Sequence, residues 1–164
     1  HVKIYSELGS GTTIKLYLPR LQGPGAELSA AVVSKPLPRG ESKEVVLVVE
    51  DEAAVRQFSV EALSELGYHV LEADGAAAAL QILENEPGIA LLFTDVVMPV
   101  TNGRKLADEA CRRWPHLKVL FTTGYSRNAV VHNGVLDSGV HLIVKPFTVQ
   151  ELATRVRDVL EGRS

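Results

Sequence analysis

The chain has 164 residues, 46% hydrophobic and 23% charged, with a formal net charge of −3. That is the composition of a soluble globular domain with a small appendage, and no apolar run approaches the roughly 20 residues needed to span a bilayer. Residues 1–43 carry six Lys/Arg and three Asp/Glu, and residues 44–164 carry eleven and seventeen. An acidic domain without a basic stripe argues against a nucleic-acid partner, and acids brought close together favour a cation.

The chain opens at His1 in mid-pattern, with no initiator methionine and no signal peptide, and is expected to be a piece of a longer protein without membrane contact of its own. The single cysteine, Cys111, cannot close an internal disulfide. That fits a cytoplasmic setting, and its place in a helical stretch reads as a structural thiol.

In chain order, Val2 and Ile4, then Ile14, Leu16 and Leu18, alternate with polar or aromatic residues around the glycines of GSG at 9–11. This is a hairpin signal. Two strands alone are marginally stable, so the hairpin over 1–20 is expected to belong to a larger sheet. Residues 21–43 are rich in Pro, Gly, Ser and Ala and read as a flexible linker with little fixed structure.

From residue 44 the pattern changes. EVVLVVE (44–50) is a strand covered on both faces. Residues 52–67 place Val55, Phe58, Ala62, Leu63 and Leu66 at helical spacing and end in Gly67. A short strand is expected over 68–73, a helix over 74–87 capped by Asp74, and a second buried strand over 89–94. A helix over 103–115 stops at Pro115, a strand follows at 118–123, and a weak helix at 127–139 is broken near Gly134. A strand at 140–145 and a helix at 148–162 complete the series, with Leu152, Val156, Val159 and Leu160 on one face of the last helix. Five βα repeats with short loops predict a parallel sheet with helices on both faces, and its ligand-binding edge lies at the carboxyl ends of the strands.

What sits at those ends is informative. Glu50 and Asp51 follow the first strand of the repeat, Asp95 the third, Thr122 lies at the end of the fourth, and Lys145 with Pro146 follows the fifth. Each has an ordinary reading: Asp51 as a helix cap, Glu50 as a loop acid, Asp95 as a turn residue, Thr122 as a strand former, Lys145 as a snorkelling side chain. Together on one sheet edge they read as a site. His69, His116, His132 and His141 have no metal-ligand spacing, and Phe58 and Trp114 read as packing residues.

The segments VVLVVEDEAAVR, LLFTDVVMPVTNG, VLFTTGYS and IVKPF resemble, in order and spacing, the receiver domain of bacterial two-component signalling over about residues 44–162. The resemblance implies a flavodoxin-like (βα)5 fold with strand order 2-1-3-4-5. It implies Asp95 as phosphoacceptor from a phosphohistidine, with Asp51, Asp95 and the Val97 backbone carbonyl as Mg²⁺ ligands and Glu50 acting through water. Thr122 would hydrogen-bond the phosphoryl group, Lys145 would pair with it, and Pro146 would follow a cis peptide bond. The implied partners are a histidine-kinase dimerisation domain or a histidine phosphotransfer protein. Phosphoryl transfer needs an in-line nucleophile and neutralised oxygens, and Mg²⁺ with a lysine supplies that neutralisation.

Three positions depart from the common pattern. Leu142 stands where an aromatic ring often acts as a mobile switch, Thr123 is larger than the usual small residue, which is expected to narrow access to the phosphoryl group, and Val97 offers no polar side chain. The first twenty residues, with Gly9, Gly11, Thr12, Leu18 and Pro19, resemble the last hairpin of a histidine-kinase ATP-binding domain. Hairpin 1–20, linker 21–43 and receiver 44–164 is the order of a hybrid sensor histidine kinase. A fragment lacking the phosphorylatable histidine and nucleotide boxes is expected neither to bind ATP nor to autophosphorylate as a kinase. A stand-alone response regulator is the near alternative. A flavin-binding flavodoxin-like module is disfavoured because EDEAA would repel phosphate. An aspartate-nucleophile phosphatase is disfavoured because Val97 replaces the second acid.

Overall fold

The computed structural model describes residues 2–7, 9, 11–17, 37–41, 43–98, 102–124 and 140–163. The chain divides into two compact units, residues 1–35 and 36–164. In the first, β1 (Val2–Glu7) and β2 (Gly11–Leu16) pair antiparallel in a register that runs from Val2 opposite Leu16 to Glu7 opposite Gly11. Gly9 and Gly11 take φ of 82° and 91° at the turn, which side chains other than glycine rarely adopt. Leu18 and Pro19 lie outside the described residues, as does the helix expected over 127–139.

The second unit follows the expected alternation: β3 (Val45–Val49), α1 (Ala53–Glu65), β4 (His69–Ala73), α2 (Ala76–Asn85), β5 (Ile89–Asp95), α3 (Gly103–Arg113), β6 (Lys118–Thr123), β7 (Leu142–Val144) and α4 (Val149–Glu161). All neighbouring strands of its sheet run parallel in the order β4-β3-β5-β6-β7. Counted within the unit, this is 2-1-3-4-5, the flavodoxin-like order. Strand residues alternate between two cores. Val46, Val48, Leu91, Phe93, Leu120 and Ile143 pack with residues of α1 and α4, among them Leu63, Leu152 and Val156. Leu47, Val49, Leu92 and Phe121 pack on the other face with residues of α2 and α3, among them Leu83 and Leu106.

Local chemistry sets the helix ends. Tyr68 N–H donates to the Leu63 carbonyl and Gly67 N–H to that of Ser64, a Schellman closure of α1 with Gly67 at φ 95°. Thr148 and Glu151 form a reciprocal capping box at the start of α4, and Gly162 closes it in the left-handed region. The expected Asp74 cap is not found. Gly75 occupies the N-cap of α2 with no side-chain bond, so the helix starts two residues later than expected. Asp51 does not cap α1 either, because Glu52 holds that position without a side-chain bond. The last strand is shorter than the expected 140–145, since β6 offers ladder partners only from Phe121 to Thr123. Phe58, read as a packing residue, is 43% exposed, and its ring centroid lies 6.0 Å from that of Phe147.

Little fixed structure was expected over residues 21–43, yet its described C-terminal end is held. Gly40 N–H donates to the Leu66 carbonyl at 2.8 Å, and Arg157 reaches the Arg39 carbonyl at 3.4 Å while making a two-point ion pair with Glu44 at 2.6 and 3.0 Å. A Cβ on Gly40 would fall 2.4 Å from the Tyr68 ring, so only glycine permits this approach.

Candidate functional site

The period-two alternation that builds the α1/α4 core also builds the site. Val46 and Val48 lead to Glu50, Leu91 and Phe93 to Asp95, Leu120 to Thr122, and Ile143 to Lys145. Four side chains therefore leave the sheet on one face at its carboxyl edge. Glu50 is 4% exposed and Asp95 9%. Lys145 Nζ donates to Glu50 Oε2 and to Asp95 Oδ2, both at 2.6 Å. One ammonium thus bridges two buried carboxylates from different strands, which answers the cost of burying either acid alone.

Burial pushes the Glu50 carboxyl above its usual range, although Lys145 pulls it down. For Lys145, desolvation lowers the pKa, but the hydrogen bonds and charges of Asp95 and Glu50 outweigh it and hold the ammonium above its usual value. Lys145 is therefore held in its charged form, and folding makes the Glu50 carboxyl a weaker acid than it is in the unfolded chain.

The backbone around Asp95 is fixed on several sides. Val97 N–H donates to Asp95 Oδ1 at 3.0 Å, Val96 N–H to the Thr122 carbonyl at 2.9 Å, and Gly103 N–H to the Val96 carbonyl at 3.0 Å. Thr94 Oγ1 donates to the Asp95 carbonyl at 3.1 Å. Asn102 caps α3 by accepting from Arg104 N–H at 2.7 Å. A Cβ on Gly103 would lie 1.8 Å from the Asp95 carbonyl oxygen. Gly103 is a site residue that sequence reasoning missed. The only signal was a glycine opening a helix, and nothing in that spacing reports an approach to a backbone eight residues away.

Thr122 is the register partner of Asp95 across β5 and β6. It is 2% exposed, and its Oγ1 is buried without a hydrogen-bond partner among the described residues. A buried unpaired hydroxyl carries a desolvation cost of about 1–3 kcal/mol. Thr122→Val is therefore expected to leave stability unchanged or raise it by up to about 1–2 kcal/mol. A urea midpoint lowered by the equivalent of a kilocalorie would show that the hydroxyl is satisfied in the resting protein.

Asp51 is exposed at the start of the turn after β3, and Val97 is exposed beyond β5. Leu142 and Thr123 are both buried. The Lys145–Pro146 bond is cis. Of the histidines weighed as ligands, His69 and His116 are exposed, His141 is half-buried, and His132 lies outside the described residues. Among the described residues no three His, Cys, Asp or Glu side chains form a ready-made metal cluster. The donors at this edge nevertheless suit Mg²⁺. That ion takes hard oxygen ligands, often one or two carboxylates, and keeps several waters instead of requiring an all-protein cage.

Acids, a hydroxyl and a lysine thus gather at the carboxyl edge of a doubly wound parallel sheet, the edge at which such sheets bind their ligands. The chain belongs to the response regulator receiver domain family, which it matches over residues 46–157. It is a receiver domain of a two-component system. It is 38% identical over 162 residues to the sensor kinase CckA of Brucella abortus (strain 2308), a match covering 95% of this chain and 17% of that protein. It is 36% identical over 115 residues to the response regulator receiver protein CpdR of the same organism, covering 70% of this chain and 95% of that one. The crystal structure of the receiver domain from the hybrid histidine kinase CckA superposes with a TM-score of 0.60 at 36% identity, covering 71% of this chain and 98% of that one. The chemotaxis protein CheY4 of Vibrio cholerae shares the fold, with a TM-score of 0.63 at 23% identity over 71% of this chain and 98% of its own. Among the described residues no helix is long and apolar enough to cross a membrane.

Proposed function

We propose that Asp95 accepts a phosphoryl group from a phosphohistidine, with Mg²⁺ held by Asp51, Asp95 and the Val97 carbonyl and by Glu50 through water. The observation that carries this reading is the Lys145 ammonium 2.6 Å from both Glu50 and Asp95, beside the unpartnered Thr122 hydroxyl. The metal, when bound, neutralises the oxygens of the transferring group. The chain's own residues do the rest. Asp95 presents its carboxylate as the nucleophile, and Val97 N–H fixes the orientation of one of its oxygens. Lys145 supplies a compact positive charge for a phosphoryl oxygen. The Thr122 hydroxyl gains in the phosphorylated state the partner it lacks in the resting one, which biases a two-state equilibrium.

The donor is a helix-borne histidine of a kinase dimerisation domain or a phosphotransfer protein. Supporting this is an apolar groove of about 520 Å³ lined by Ala54, Val55, Phe58, Lys145, Pro146 and Phe147, which shares Lys145 with the site. The parent is a hybrid sensor histidine kinase. The match to CckA extends over 95% of this chain, a span that cannot be reached without part of the N-terminal hairpin. CpdR, matched over 95% of its own length, keeps the stand-alone regulator as the second reading.

Beryllofluoride with Mg²⁺, followed by NMR, tests the site. Amide shifts are expected around Asp95, Thr122 and Lys145 in the native sequence and none of them in Asp95→Asn. Shifts that persist in Asp95→Asn would place the acceptor elsewhere.

A further inference from the structure

We propose that Arg56 is a positioning residue for the divalent cation, bracing the Glu50–Asp51 turn so that its acids face the ion correctly. This inference rests on the magnesium reading above. Arg56 lies in the first turns of α1, five residues after Asp51. Its Nη1 donates to the Glu50 backbone carbonyl at 2.7 Å, and its Nε donates to Glu72 Oε2 on β4 at 3.1 Å. Glu50 N–H donates to the Ala73 carbonyl, also on β4, at 3.2 Å. The peptide units on both sides of the Glu50 Cα are thus tied, one directly to β4 and one through the guanidinium.

The geometry needs an arginine. A planar fork of fixed donors can hold a carbonyl and a carboxylate at once, whereas an ammonium on a flexible stem is a point charge. The Asp51 side chain leaves from the peptide whose carbonyl Arg56 grips, so its direction follows from that bond. The Arg56–Glu72 pair adds little to stability, since Glu72 is 57% exposed.

Charge and geometry predict opposite signs here. A guanidinium near the acids repels a second cation, so if charge alone mattered, removing it would tighten Mg²⁺ binding. If Arg56 positions the turn, removing it weakens binding, as loss of outer partners of metal ligands generally does.

MgCl₂ is titrated into the native chain, Arg56→Met, Arg56→Lys, Glu72→Gln and Asp51→Asn. Amide shifts of residues 50–52 and 95–97 report binding, and urea midpoints report stability. Phosphorylation by acetyl phosphate is measured across the same Mg²⁺ range. Arg56→Met is expected to raise the Mg²⁺ Kd about tenfold. Arg56→Lys, which keeps the charge and loses the fork, should come close to it, and Glu72→Gln should raise Kd by a smaller factor. Excess Mg²⁺ should restore phosphorylation to the native level in all three, a rescue that general loosening of the fold would not give. A Kd within twofold of native, or tighter, in Arg56→Met overturns the brace. If that variant does not fold, a native Kd in both Arg56→Lys and Glu72→Gln overturns it equally. A native chain that gives no Mg²⁺-dependent shifts, or Asp51→Asn binding as well as native, overturns the magnesium reading itself.

Discussion

Gly103→Ala is expected to destabilise the receiver by about 3 kcal/mol or more, at or beyond the upper end of what one surplus methyl group costs in a packed interior. The added Cβ would meet the Asp95 carbonyl oxygen at 1.8 Å, the Asp95 carbonyl carbon at 3.0 Å and Thr94 Oγ1 at 3.0 Å. Two of those three atoms are backbone of the central strand, so no rotamer change relieves the overlap. Either α3 backs away, breaking the Gly103 N–H to Val96 carbonyl bond, or the end of β5 moves and takes Asp95 with it. A thermal melt should drop by about 10–20 °C for a domain of this size. Acetyl phosphate labelling of the folded fraction should fall as well. A melting temperature within two degrees of native would show that α3 can shift freely, and the close approach would lose its meaning.

Lys145→Met is expected to have an effect of similar size and a distinctive pH dependence. It leaves Glu50 and Asp95, with side chains only 6% and 12% exposed, without their shared counter-charge. Removing one partner of a buried ion pair costs about 3–5 kcal/mol. Glu50 already titrates above its usual value because it is buried, and Lys145 is what pulls it back down. In the variant its folded pKa rises further. An acid whose pKa is raised by folding weighs against the folded state once the pH exceeds its unfolded value, and the penalty grows until the pH passes the folded value. The deficit should therefore grow as the pH rises above the ordinary carboxylate range and shrink as the pH falls back into it. In the native chain the sign for Lys145 is the reverse. Its contribution is complete below its unfolded pKa and is lost only as the pH rises through its raised folded value. Urea midpoints from the carboxylate range up to mildly alkaline pH measure the Glu50 effect, whereas the Lys145 loss falls at more alkaline pH, above its ordinary value. A deficit that does not change with pH would mean that the methionine fails for reasons of shape rather than charge.

Much of this was readable from the sequence because it depends on local periodicity. Lys118–Thr123 is the strand that KVLFTT announces, and the apolar run from Ile89 carries Asp95 to the last position of β5. The strand ends read from the sequence place Glu50, Asp95, Thr122 and Lys145 at one sheet edge, and the packing of the α1/α4 core adds that they share a face. What was not readable depends on contacts between distant backbones. Gly103 against Asp95, Arg56 against the Glu50 carbonyl and Gly40 against Tyr68 leave no periodic trace. Asp74 was misread as a cap because cap preference is a statement about residue type, while Gly75 takes the extended conformation the N-cap needs. Helical spacing reads Phe58 as a packing residue but does not say whether the far end of that face is covered, and the residue is 43% exposed. Its neighbour Phe147 shields it only in part.

The seat of Gly40 beneath the Tyr68 ring bears on where the domain can be cut or joined. Leu66 accepts from Gly40 N–H, and Arg157 grips both Glu44 and the Arg39 carbonyl. A truncation at the first residue of β3 would strip a hydrogen bond from the end of α1 and uncover an aromatic ring. A start at residue 36 keeps all of these contacts within the second unit.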